Sequence, residues 1–266
     1  MCRALEPFAQ HLMTTRDWDL GTRSISDEDR AWSEVAAAFG VGLVRVHQVH
    51  GTNIVIRRAG DAPFGTLPDA GIVVSNDSSV VIAVQAADCV PILIADRRTG
   101  AVAAAHAGWR GLVADVPRVT VEALSREFGS RPGDLIVAAG PSIGACCYEV
   151  GPEVRQRFED AGWNESTMSS WFFKRPQPTM GNPSMAGMRT QPRPGYWYFD
   201  SGRAARDQLE SAGVPRDQIF VADLCTASHP GTLCSYRRDA AGAGRMAGAI
   251  RARGDGPLST RRGYRG

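Results

Sequence analysis

Two histidines and a cysteine stand out because each sits in a short strand-like segment rich in small residues. They are His50 in Gln48-Val49-His50-Gly51, Cys89 in Ala87-Asp88-Cys89, and His106 in His106-Ala107-Gly108-Trp109-Arg110-Gly111. Two imidazoles and a thiolate make a borderline-soft N/S donor set that favours zinc or copper, and three protein ligands leave a fourth position for water or substrate. The three are far apart in sequence, so only long-range folding can bring them together. On spacing alone, three packed or hydrogen-bonded side chains without an ion are the plainer reading.

The elements that must position them are partly legible. Residues 41–50 and 54–58 read as two strands joined at Gly51-Thr52-Asn53, because Val41, Val44, Val46 and Val49 favour extended backbone. Residues three apart on a strand point to opposite faces, so His47 is expected to look away from His50 and take no part in its site. Residues 80–84, 91–95 and 101–105 are apolar runs, the last two separated by the turn-forming Asp96-Arg97-Arg98-Thr99-Gly100. An antiparallel hairpin there sets Cys89, before its first strand, beside His106, after its second.

Downstream, Asp115 is placed to cap a helix with Pro117 in its first turn, Val116, Thr120, Leu124 and Phe128 on one face, and Gly129 as its stop. Residues 135–139 and 219–222 read as strands, and 152–161 and 203–212 as helices, the former with Val154 and Phe158 inward. Residues 166–195, with five prolines and no sustained period, read as an insertion loop covering or bordering the site. Residues 1–250 then form a single catalytic domain, and 251–266, with five arginines against one acid, a disordered basic tail.

Taken in order, Gln48-Val49-His50, Ala86-Ala87-Asp88-Cys89-Val90-Pro91-Ile92-Leu93, His106-Ala107-Gly108-Trp109-Arg110-Gly111, Gly140-Pro141-Ser142-Ile143-Gly144, Tyr148-Glu149-Val150-Gly151 and Ser235-Tyr236-Arg237-Arg238-Asp239 resemble the YfiH-like family over residues 41–250. Its members are called polyphenol oxidases or laccase-domain proteins, peptidoglycan editing factors and purine nucleoside phosphorylases. The resemblance implies an α/β (α+β) sandwich of mixed β-sheets with outer helices. It also implies His50, Cys89 and His106 as zinc ligands, with copper the less favoured ion. Thr15-Arg16 matches an N-terminal motif of the family, which assigns Arg16 a place at the site. The sequence departs from the pattern there, since Asp17-Trp18-Asp19-Leu20 replaces a glycine-rich stretch, and again at Leu233-Cys234, where two phenylalanines are usual.

The implied activity is phosphorolysis of adenosine or inosine to free base and ribose 1-phosphate, with methylthioadenosine phosphorolysis and adenosine deamination as further family activities. Its partners would be a purine nucleoside and phosphate. Arg110, between Gly108 and Gly111, suits an oxyanion because its planar fork binds phosphate bidentately, although an ordinary surface ion pair is the alternative. Trp109 offers a flat surface for a base or is simply core. Asp88 acts as a base only if a turn redirects it, and otherwise orients a ligand or caps a backbone N–H. Arg237 and Arg238, adjacent on an expected strand, would put only one guanidinium into the pocket. Two other readings stay open: a zinc hydrolase of peptidoglycan precursors, with Cys89 as ligand or nucleophile, and a metal-binding protein without catalysis.

Composition narrows the classes further. Thirty basic and twenty-eight acidic residues in 266 give a net charge of +2, with no general reason to expect nucleic acid or an anionic membrane as partner. No signal-peptide core or membrane-length apolar run is present, so a cytoplasmic protein with reduced thiols is expected, and the adjacent Cys146-Cys147 reads as buried packing. Cys225, His229 and Cys234 lack zinc-finger spacing and read as loop residues without metal. Five histidines are too few for a blue-copper site plus the histidine-rich cluster of a multicopper oxidase, so laccase activity in the strict sense is not expected.

Overall fold

Apolar residues on both faces of the central strands decide the architecture. In the strand Val90–Asp96 every residue is buried, which requires cover on both sides of the sheet. The computed structural model describes residues 1–18, 20–21, 25–63, 66–189, 191 and 193–254. Val90–Asp96 lies inside a six-stranded mixed sheet whose order is Ile219–Val221, Leu135–Ala139, Val90–Asp96, Val102–Ala107, Ile72–Ser75, Ile54–Arg57. A second sheet of four strands runs Ala9–Met13, Met246–Ala252, Val80–Ala86, Gly42–Val44.

The period-two alternation sorts the side chains into three layers of core. Leu93, Ala95, Val102 and Ala104 of the larger sheet meet Ile82, Val84 and Ile250 of the smaller one. The opposite face of the larger sheet, with Ile92, Ile94, Ala103 and Val137, packs under Val121 and Leu124 of the helix Val116–Phe128, Leu209 of Ser201–Ser211 and Phe158 of Pro152–Asp160. Val81, Ala83 and Ala249 on the outer face of the smaller sheet are covered by Trp32, Val35 and Phe39 of the helix Ile25–Phe39. The result is the expected mixed sandwich with helices outside.

Several local expectations hold. The hairpin forms, with Pro91 opposite His106 and Ala95 opposite Val102. The helix Val116–Phe128 is capped by the Asp115 side chain and stops at Gly129, whose φ of 66° suits glycine.

Others are corrected. The strand expected over 41–50 is two pieces, because Gly42–Val44 pairs with Val80–Ala86 while His47–Gln48 leaves for a separate parallel ladder with Asp69–Ala70. The 166–195 segment is not loop throughout. The helix Glu165–Met168 and strand Phe172–Phe173 occupy its start, and Trp171 is fully buried in the main core. Arg251 and Ala252, assigned to the tail, close the last strand instead, and residues 255–266 lie outside the described residues. Arg237 and Arg238 stand on a short helix, Tyr236–Asp239, rather than on a strand.

Candidate metal centre and active site

His50, Cys89 and His106 meet at one end of the sheet sandwich, with one possible ligand atom from each lying within 4.8 Å of the others. The hairpin accounts for two of them, since Val90 pairs with Ala107 and so brings Cys89 alongside His106. His50 arrives through a close backbone approach at Gly71. The His106 N–H donates to the Gly71 carbonyl at 2.9 Å, and the Val49 N–H donates to Ala70 at 3.1 Å. A Cβ on Gly71 would stand 2.6 Å from the Gly51 carbonyl oxygen, so only glycine lets the 49–51 segment lie this near. His47 takes no part, because its Nδ1 pairs with Asp69 at 2.6 Å on the exposed surface.

Each ligand is held by its own partners. The His106 Nδ1 lies 2.8 Å from the Gln85 carbonyl and 2.7 Å from Gln48 Nε2; with the proton on Nδ1, donated to the carbonyl, His106 Nε2 keeps its lone pair for an ion. That Nε2 is buried with no hydrogen-bond partner. Gln48 grips both backbone groups of Gln85, Oε1 accepting its N–H at 2.9 Å and Nε2 donating to its carbonyl at 2.7 Å. The Cys89 sulfur is 4.0 Å from His50 Nε2, and the two imidazoles cross edge-on with centroids 5.1 Å apart. Tetrahedral zinc with one sulfur and two nitrogens sets S···N near 3.6 Å, roughly, so a few tenths of an ångström of closure suffice. A Cβ on Gly108 would come within 2.7 Å of the Cys89 sulfur and 3.1 Å of the His50 ring. The donor set, the orphaned lone pair and this glycine cradle all fit a thiophilic cation.

Electrostatics keeps both imidazoles neutral. Burial holds His106 down to about 4, and burial, then Arg110, lowers His50. Burial, then the neighbouring Asp88, pushes the Cys89 thiol up to about 12, opposed by Arg245 and Arg110. A bound cation reverses that balance by taking up the thiolate.

The remaining residues separate into those that face the centre and those that build it. Arg110 is exposed in the short helix Trp109–Val113. Its guanidinium stacks on the Trp109 ring at 4.3 Å and makes no hydrogen bond among the described residues. Trp109 is half-buried against the main core.

Asp88 does lie in a turn, at φ 90°, but both its side-chain oxygens are engaged. One accepts from Thr226 Oγ1 and the other from the Arg237 N–H, each at 2.6 Å, while its carbonyl accepts from the Ile143 N–H at 2.9 Å. These bonds over-determine an uncommon backbone conformation and fix the direction in which Cys89 leaves the turn.

Arg237 spends a donor on the Glu149 carbonyl and lies over Tyr148. Arg238 is consumed by the Thr226 and Leu233 carbonyls and by Asp239. Arg16 is exposed, with its side chain on the Pro230 carbonyl and its N–H on Thr232.

Sequence reasoning passed over Arg245, whose charge acts on both Cys89 and His106. Nothing in Gly244-Arg245-Met246 marks it, because it reaches the site from the start of the last strand, far away in sequence. No helix among the described residues is long and apolar enough to cross a membrane.

Comparison with known proteins identifies relatives of this chain. The chain is 36% identical over 207 residues to the purine nucleoside phosphorylase YfiH of Escherichia coli, covering 78% of this chain and 72% of that one. It is 32% identical over 216 residues to a purine nucleoside phosphorylase of Bacteroides thetaiotaomicron, with the same shares covered. The crystal structure of the Bacillus licheniformis hypothetical protein YfiH shares the fold at a TM-score of 0.78 and 24% identity, over 92% of this chain and 93% of that one. Residues 25–253 match the family described as multi-copper polyphenol oxidoreductase laccase, a span that takes in His50, Cys89 and His106, and the chain belongs to that family.

Proposed function

We propose that this protein is a zinc-dependent purine nucleoside phosphorylase, cleaving adenosine or inosine with phosphate to free base and ribose 1-phosphate. The observation that carries the reading is the His50, Cys89 and His106 set with the unengaged Arg110 guanidinium beside it. The names of the relatives support the same substrates. Zinc would be held by His50, Cys89 and His106, and when bound would supply Lewis acidity toward an oxygen of phosphate or nucleoside.

The chain's own residues supply the rest. Phosphorolysis forms a bond from a phosphate oxygen to the ribose anomeric carbon as the bond to the purine breaks, so the phosphate must be held in line and its charge offset. Arg110, braced on Trp109, can present two N–H groups to the anion, and the Arg245 charge adds to the positive field. Asp88 acts as a positioning residue for Cys89, because both its oxygens hold the turn together through the Thr226 hydroxyl and the Arg237 N–H.

A multicopper oxidase reading lacks its second site. His11 Nε2 accepts from the Cys2 N–H, His47 is paired with Asp69, and His229 donates to the Cys225 carbonyl. No histidine is left for an oxygen-reducing cluster.

The test is product analysis with inosine and adenosine at varied phosphate. Base release that rises with phosphate, with ribose 1-phosphate in equal amount, is expected. Base released equally well without phosphate would instead favour a zinc hydrolase.

A further inference from the structure

Cys146, Cys147 and Cys225 lie outside the site described above. Their sulfurs are within 4.8 Å of one another, all three are free, and their exposures are 2%, 0% and 2%. Adjacent cysteines read as packing in the sequence, but the third sulfur arrives from a segment nearly eighty residues away, beside the short turn Thr226–Ser228.

Two backbone donors are aimed at these sulfurs. The Gly144 N–H donates to Cys225 Sγ at 3.4 Å and the Met185 N–H to Cys147 Sγ at 3.2 Å. Ser228 Oγ, whose proton goes to the Pro183 carbonyl, lies 3.5 Å from both Cys146 and Cys147 Sγ and can accept from their thiols, and Cys147 Sγ also lies 3.7 Å from the Pro183 carbonyl. Donors aimed at sulfur favour the thiolate, the form that binds metal. Hydrogen bonds from the Cys146 and Cys147 thiols, then from Gly144, lower the Cys225 thiol against the opposing effect of burial, whereas the bonds to Cys147 and Cys225 raise the Cys146 thiol, and Cys147, lowered by Cys146, is raised on balance by Cys225 and burial.

The second half of the expected insertion holds this cluster. Asn182 Oδ1 accepts the Cys225 N–H at 2.7 Å, its Nδ2 donates to the Asp223 carbonyl at 2.9 Å, and Ser184 Oγ donates to the Cys146 carbonyl at 2.8 Å. Met185 and Met188 pack against the small apolar cluster that contains the three cysteines and add soft thioethers to the neighbourhood. A cavity of about 520 Å³, bordered by Cys146, Cys225, Asn182, Asp200 and Arg203, offers an entry path and touches none of His50, Cys89 and His106.

We propose that Cys146, Cys147 and Cys225 form a second, independent cation site that takes a thiophilic d10 ion, Zn²⁺ or Cu⁺, in a three-sulfur environment. Each thiol that ligates gives its proton to solvent, so the ion replaces S–H bonds with metal–sulfur bonds and no oxidant is needed. The donor chemistry suits both ions, since soft thiolates select Cu⁺ and zinc equally accepts sulfur-rich sets.

The experiment titrates metal-stripped, reduced full-length protein with Cd²⁺, following the ultraviolet thiolate-to-cadmium band and cadmium NMR. Wild type should bind about two equivalents and give two resonances, one of them in the sulfur-rich range. Cys89→Ser should bind about one and keep the sulfur-rich signature, whereas Cys225→Ser should lose it. Cys225 is buried, and should Cys225→Ser fail to fold, the wild-type stoichiometry and the Cys89→Ser spectrum decide. Competition of Zn²⁺ against Cu⁺ buffered by a copper(I) chelator, run on the Cys89→Ser protein, identifies the ion that the sulfur-rich site prefers. Saturation of wild type at a single equivalent, or a Cys89→Ser protein with no thiolate-to-cadmium band, overturns the proposal. The outcome is independent of nucleoside turnover.

Discussion

Gly108→Ala separates the metal centre from the fold that carries it. The added Cβ would meet the Cys89 sulfur at 2.7 Å and the His50 ring at 3.1 Å. An unstrained contact needs roughly 3.5–4.0 Å, so the sulfur must retreat by about 1 Å. For the fold this is cheap, since a sulfur at the end of its side chain can swing aside. Gly108 has φ −76° and ψ 174°, which alanine adopts freely. Loss of a favourable helix-start residue and the gain from a stiffer unfolded chain are each about 1 kcal/mol or less and opposed in sign.

For the site the same shift is large, because ligand positions tolerate only about 0.2 Å. Zinc affinity should fall by about 10- to 100-fold and turnover by about 100-fold. The assay is zinc competition against a chromophoric chelator, with denaturant unfolding in parallel. Gly133→Ala, where a Cβ meets nothing within 4 Å, is the control expected to match wild type. A Gly108→Ala protein with wild-type zinc affinity would refute the cradle.

Three further outcomes follow from the geometry. Cys89→Ala and His106→Ala should lose bound metal and activity together, while His47→Ala, which removes only an exposed pair with Asp69, should keep both; equal loss in all three would contradict the facing of this segment. Arg110→Lys should raise the phosphate KM by about 10-fold or more with little change in nucleoside KM, because lysine keeps the charge and loses the fork; an unchanged phosphate KM removes Arg110 from the anion site. For metal-free protein, His106 at about 4 in the fold against an ordinary 6.5 means that the unfolded chain takes up the proton first. Its share of stability, about 3 kcal/mol, is present above pH 6.5 and lost as pH falls toward 4. Denaturant midpoints across that window should fall, and a flat profile would show that His106 is not the buried neutral group described.

The sequence made local features readable and left the long-range ones closed. The hairpin around Asp96–Gly100 was legible because its turn residues and flanking apolar runs are contiguous, and with it the meeting of Cys89 and His106. The placing of His50 was not, since it depends on Gly71 admitting a neighbouring backbone, which no period or spacing encodes. The helix Ile25–Phe39 carried a readable signal in Ala31, Trp32, Val35 and Phe39 that was passed over. Arg238 illustrates the reverse difficulty: its type suggested an anion contact, yet tertiary carbonyls absorb its donors. The three-cysteine cluster was hidden for the same reason as His50, because Cys225 joins Cys146 and Cys147 only through the fold.

The most direct measurement is ribose 1-phosphate formation from inosine and inorganic phosphate by the purified protein, before and after chelator stripping and again after zinc is restored. Phosphorolysis at the His50, Cys89 and His106 centre requires ribose 1-phosphate equal to hypoxanthine released, lost on stripping and regained with zinc. Free ribose in place of ribose 1-phosphate, or turnover untouched by stripping and by Cys89→Ala, would contradict it.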